Sequence, residues 1–217
     1  MTIDKATIIN WALTDIGAGP MFSIDDDSNM AAQIENCWQP VVDRTFGLQH
    51  DWSFALKTFR NQRHAASPEN GWRYGFDLPG NRIGNPVKIM DQAGRTPRPL
   101  RHFAIEEGKL FCDEPETWST VKVYVDPDYW LPEWRAAFVV ALGAYLCVPI
   151  WQDADLKNDM LVEAFGTPSQ GGTGGMFGRL MAQDKASRPV GEPQEFDNPL
   201  TNARYSGTSE HWAGRYA

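Results

Sequence analysis

Apolar residues recur at helical spacing over the first fifty positions and again in the last third of the chain, and they alternate in between. From Ala6, the residues Ile8, Ile9, Ala12, Leu13 and Ile16 fall on one face, and Gly17 and Gly19-Pro20 then break the pattern. This predicts a first helix over 6–16. Asp25-Asp26-Asp27-Ser28 supplies N-cap side chains, and negative charge where a helix dipole favours it. Behind it Ile34, Trp38, Val41, Thr45 and Leu48 form an apolar stripe along a second helix, with Pro40 inside it as an expected kink.

From Trp52 the period changes. Phe54, Leu56, Thr58 and Arg60 alternate as a strand would, and further strands are expected at 87–90, 100–105, 109–112 and 120–125. Glu107-Gly108 reads as a compact hairpin turn. Gly71, Pro79-Gly80, Asn85-Pro86, Gly94 and Pro97 punctuate this region into a small antiparallel unit with long loops.

Helical spacing returns after Pro132, through Phe138, Leu142, Tyr145 and Leu146 toward Pro149, and again over 153–165. A glycine-rich loop, Gly166 to Gly175, precedes a short helix at 176–186. Beyond it lie Pro, Gly and scattered aromatics with little periodicity. The expectation is an α+β protein: a helical bundle built from N- and C-terminal helices, an inserted small antiparallel β domain and an extended C-terminal arm. The corresponding boundaries are 1–51, 52–126, 127–186 and 187–217.

Composition sharpens this only in places. The 217 residues are ordinary in apolar content but include 9 Trp. Trp11, Trp38, Trp52, Trp134 and Trp151 lie in or beside regular elements and are expected in the core. Trp72, Trp118 and Trp130 are assigned to loops around the β unit, and Trp212 to the arm. Cys37, Cys112 and Cys147 are odd in number and widely spaced, which points to free thiols in a reducing compartment rather than a metal or disulfide framework. No signal-peptide pattern is seen, and the most apolar run, 136–150, is too short to span a bilayer. A soluble intracellular chain is expected.

The net charge of −8 is uneven. Residues 60–104 carry Arg60, Arg63, Arg73, Arg82, Lys88, Arg95, Arg98 and Arg101 against three acids, a net of +5 that leaves −13 elsewhere. Asp155, Asp159 and Glu163 share one helix face at i, i+4 and i+8, where they repel one another unless a basic surface meets them. The candidate subunit-contact charges are therefore Arg60, Arg63, Arg73, Arg95, Arg98 and Arg101 against Asp155, Asp159 and Glu163. Solvated loops and a solvated helix face are the simpler reading, and an approach to DNA phosphates is a third.

Positive signs of catalysis are lacking. Gly166 to Thr173 resembles a phosphate-binding loop but has Gly172 where the lysine belongs, and a helix where a strand should precede. The four histidines are isolated, and no nucleophile or metal motif occurs. Paired carboxylates for glycoside cleavage could lie far apart in sequence, so a virion-associated peptidoglycan hydrolase is the alternative function. A monomeric DNA-binding module is a further one.

Several segments, taken in order, resemble the tail tubular protein A family, the head-to-tail adaptors of short-tailed bacteriophages. They are Asp15-Ile16-Gly17, Trp38-Gln39-Pro40, Trp52-Ser53-Phe54-Ala55, the run from Trp72 to Pro79, Gly108-Lys109-Leu110 to Asp113, and Tyr124-Val125-Asp126 running through Trp130 and Pro132. The resemblance spans residues 5 to 165. The chain departs from it at Asp43-Arg44, where the family often has Arg-Asp, and in the glycine loop, which reads as an insertion.

This resemblance implies a structural, non-catalytic protein of the virion neck, made in the host cytoplasm and free of cofactor or metal. It implies a dodecameric ring between the portal protein and the tail nozzle protein, with double-stranded DNA passing through the channel without sequence-specific binding and no membrane contact in the free state. The residues suited to docking on those partners are Phe196, Arg204, Tyr205, Trp212, Arg215 and Tyr216 of the arm. Aromatic and Arg anchors on a segment that orders on binding suit such a role.

Overall fold

The computed structural model describes residues 2–20, 22–23, 28–48, 50–94 and 98–187. Residues Met1–Ala186 form one compact unit. Five helices and two small antiparallel sheets make it an α+β protein.

Helix α1 (Lys5–Asp15) starts where Asp4 Oδ1 accepts from the Thr7 N–H at 2.8 Å and the Thr7 hydroxyl at 2.6 Å. Those two bonds favour the ionised carboxylate and hold the Asp4 pKa below its usual range. Helix α2 (Asn29–Phe46) is capped by Ser28, whose Oγ accepts from the Ala31 N–H. It continues past Pro40 for six further residues, with Pro40 on the exposed side. Helix α3 (Pro132–Trp151) likewise runs through Pro149 and stops at Gln152, which adopts the left-handed conformation. Asp153 then caps α4 (Ala154–Phe165) by accepting from two backbone N–H groups, and α5 (Gly175–Ser187) follows the glycine loop.

The expected single β unit divides into two sheets. The first pairs β1 (Leu56–Arg60), β7 (Trp118–Val123) and β4 (Arg82–Met90) in that order. The second runs β2 (Gln62–Arg63), β3 (Tyr74–Asp77), β6 (Lys109–Cys112), β5 (Ala104–Glu106). One residue, Asn61, carries the chain from the edge of one sheet to the edge of the other. Glu107 and Gly108, with φ of 50° and 75°, form the two-residue hairpin turn between β5 and β6 that their residue types favour. Residues 53–55 form a 3₁₀ turn instead of the start of a strand.

There are two cores. The larger lies between the helices and includes Trp52 and Ala55 from the start of the β region, with Ile83 and Val125 packed against it. Its rings touch in series from Trp38 through Trp130, Phe46, Trp134 and Trp52 to Phe177 and Phe165. The smaller is Phe76, Leu78, Ile89, Leu110 and Cys112.

The tryptophans sort differently from the sequence expectation. Trp38, Trp52 and Trp134 are core, but Trp11 is 42% exposed and Trp151 52% exposed. Trp11 lies off the 8-9-12-13-16 stripe of its own helix. Trp151 closes an apolar helix at its end, with Nε1 donating to the Ile16 carbonyl at 3.0 Å. Trp130, assigned to a loop, is 2% exposed, because a 3₁₀ turn at Pro127–Tyr129 folds it inward over Trp38 and Phe138.

Candidate contact surfaces

Asp155, Asp159 and Glu163 are all exposed on α4, with the exposed Val162 on the same arc of about 100° by helix geometry. The face turned inward supplies Met160, Ala164 and Phe165 to the core. The carboxylates are thus presented outward.

The cations do not form one patch. Arg60 ends β1, where it pairs with Glu116 and lies over the Trp118 ring at 5.7 Å. Arg63 in β2 stacks on Tyr74 at 3.9 Å, next in sequence to the exposed Arg73. Arg60 and Arg63 follow the edge made by β1 and β2, whereas Arg73 leads into the inner strand β3, its N–H donating to Asp113 Oδ1 at 3.2 Å. Arg98 and Arg101 lie on the segment that runs beside β4 and enters β5, at the opposite edge of both sheets. Arg82 is committed within the fold, donating to the carbonyls of Pro79 at 3.0 Å and Gly108 at 3.3 Å. Arg95 and the arm residues Phe196, Arg204, Tyr205, Trp212, Arg215 and Tyr216 lie outside the described residues.

Periodicity gave no sign of two buried polar groups. His50 Nε2 lies 2.8 Å from Asp184 Oδ2, both residues being buried, while Ser53 donates its N–H and its hydroxyl to Oδ1 of the same carboxylate. The carboxylate stands between the serine and the histidine, whereas in a nucleophilic triad the imidazole must touch the serine. The arrangement clips α5 to the 50–53 turn and lacks the serine–histidine contact of such a triad. The second group is Asn61, whose amide donates to Thr117 Oγ1 at 3.1 Å and whose carbonyl accepts from Ser119 Oγ at 2.6 Å. In each case the partners are more than fifty positions apart in the chain, so no local pattern announces them.

The glycine loop folds on itself. Gly166, Gln170, Gly171, Thr173 and Gly174 donate their N–H groups to carbonyls between Val162 and Gln170, so these donors are not turned toward a phosphate. At Gly175, with φ of 58°, a Cβ would stand 2.3 Å from the Glu163 carbonyl oxygen, so the loop closes on α4 only with glycine there.

All three cysteines are free thiols, and burial pushes each pKa up. Among the described residues no group of three His, Cys, Asp or Glu side chains could hold a metal. Helix α3 is long and apolar enough to cross a membrane, but half of it is buried in the protein, as in a core helix. No protein-family model matches the chain, and no curated protein sequence matches it.

Proposed function

We propose that the chain is a structural adaptor of the head-to-tail kind, forming a closed ring between portal and tail nozzle through which double-stranded DNA passes. The observation that carries the reading is the presence of two unlike exposed surfaces on one chain. The α4 face bears Asp155, Asp159 and Glu163, while the β1–β2 edge bears Arg60 and Arg63. A ring needs such a pair, because each subunit must offer one surface to the neighbour ahead and a different one to the neighbour behind. The ordered motifs between residues 5 and 165 add the specific identity of adaptor. The overall charge of −8 suits a channel that DNA traverses without adhering.

Electron microscopy of the purified chain with its portal tests this. A ring stacked on the portal is expected; no binding removes the reading. Deleting residues 190–217 leaves a folded protein, judged by an unchanged thermal melt, that no longer joins the portal assembly. Assembly at the full-length level would exclude this segment as the docking arm.

A further inference from the structure

Among the described residues the most exposed large apolar side chain is Tyr129, at 74%, and Leu131 two positions on is 51% exposed. Their backbone is pinned from beneath. Trp130, between them, is buried and donates Nε1–H to the Val125 carbonyl at 2.5 Å, and Pro127 is buried as well. Asp128 Oδ1 also accepts the Ile3 N–H at 2.9 Å. A tyrosine held out from fixed backbone loses little freedom on binding, which is the character of an interface anchor. Residues 124–133 also carry Asp126, Asp128 and Glu133, all exposed, and no Lys or Arg.

A patch of the opposite sign lies at the β4 edge. Pro99 bridges Met90, and the Leu100 N–H donates to the Ile89 carbonyl at 2.8 Å. Carried one residue further, this antiparallel register sets Arg101 beside Lys88. Both are exposed, as are Val87 at 41% and Phe103 at 38%. Residues 98–103 contain Arg98 and Arg101 and no acid.

We propose that the 126–133 turn of one copy docks on the β4 edge of the next. Tyr129 and Leu131 meet Val87 and Phe103, and Glu133 faces Arg101. The occupant is a second copy of this chain because the two patches are complementary in charge and each carries exposed apolar side chains. This contact rests on the ring reading and gives it a holding surface. The α4 face, with Val162 as its one large exposed apolar residue, steers subunits together more than it retains them.

Sedimentation velocity of the full chain over a concentration series at low salt tests the contact. The wild type forms a closed oligomer. Tyr129→Ala weakens association by more than about tenfold, as loss of a central aromatic anchor does, with an unchanged thermal melt because the side chain is mostly exposed. Glu133→Arg and Arg101→Glu each weaken association, and the two together restore it. A closed wild-type oligomer that is indifferent to Tyr129→Ala, or a charge exchange that fails to restore it, overturns this contact and leaves the ring standing. A wild type that stays monomeric throughout overturns this contact as a holding surface, and the ring reading then stands or falls by assembly on the portal.

Discussion

Around α3 the chain buries Trp38, Trp52, Trp130, Trp134, five phenylalanines and three leucines; the second sheet rests on five buried side chains, of which Phe76 is the one aromatic. Each large side chain taken from water contributes about 1.5–3 kcal/mol, so the two regions are held with very different margins. What the β region lacks in apolar burial it makes up in directed polar contacts. Asn61, the residue that joins the two sheets in the chain, is fastened to Thr117 and Ser119 at β7, Arg82 holds a turn and a hairpin tip, and His64 sits 2.8 Å from Asp77. Apolar burial tolerates small shifts, whereas hydrogen bonds depend on geometry. The helical region is therefore the rigid frame, and the β region is the part whose order depends on a few specific groups.

The widest separation comes from emptying each core in turn. Trp134→Ala removes a ring that touches Phe46, Trp52, Phe54, Trp130, Phe138 and Phe177, and costs about 3–5 kcal/mol. Hydrogen-exchange protection should fall across the whole chain. Leu110→Ala, at a fully buried position of the small core, costs about 2–5 kcal/mol, but its loss of protection should be confined to β3, β5 and β6. Equal loss of protection in α3 would mean that the two cores unfold as one and that the contrast is false.

A smaller effect probes the polar stitch. Asn61→Ala leaves the buried hydroxyls of Thr117 and Ser119 without their amide partner and costs about 1–3 kcal/mol. Thr58→Ala removes a hydroxyl paired at 3.0 Å with Thr120 on the exposed side and should move the melt by less than about 0.5 kcal/mol. If the two variants melt alike, burial is not what gives Asn61 its weight.

The contrast also explains what could be read from the chain. Helices α1, α2 and α4 follow from apolar spacing and from the caps at Asp4, Ser28 and Asp153, because both signals are local. In the β region the Glu107-Gly108 turn was legible for the same reason. Strand β3 was not, because Gly75 and the flanking Gly71 and Pro79 read as loop. The structure uses Gly75 for close approach, since a Cβ there would stand 3.2 Å from the Phe111 ring. The acids of α4 could be placed on one face from their spacing alone. That the cations occupy two opposite edges depends on strand order, which no local pattern records. Tyr129 and Leu131 fell in a short turn without periodicity, so nothing in the sequence marked them as exposed.

The seam between the regions gives the smallest and most specific signal. Tyr124 follows β7 directly, with its ring 5.7 Å from Phe46 and 6.5 Å from Trp130. Burial against those rings, and secondarily the Asp126 carboxylate, pushes its phenol pKa up to about 12. In the unfolded chain a tyrosine ionises near pH 10, at about its ordinary value. Between those values the unfolded state has lost the proton that the native state keeps. The stabilising contribution is therefore complete below about pH 10 and disappears as pH rises through about 12. Because the ring is 41% exposed, the effect on overall stability is small. The phenolate absorbance titration isolates it: the wild type shows a late step, and Tyr124→Phe removes that step while leaving the earlier ones. A late step that persists in the phenylalanine variant would mean that Tyr124 is not held against Phe46 and Trp130. The β region would then join the frame without this ring, through Trp52, Ala55, Ile83 and Val125, and its independence from the helices would be greater than the packing of this seam allows.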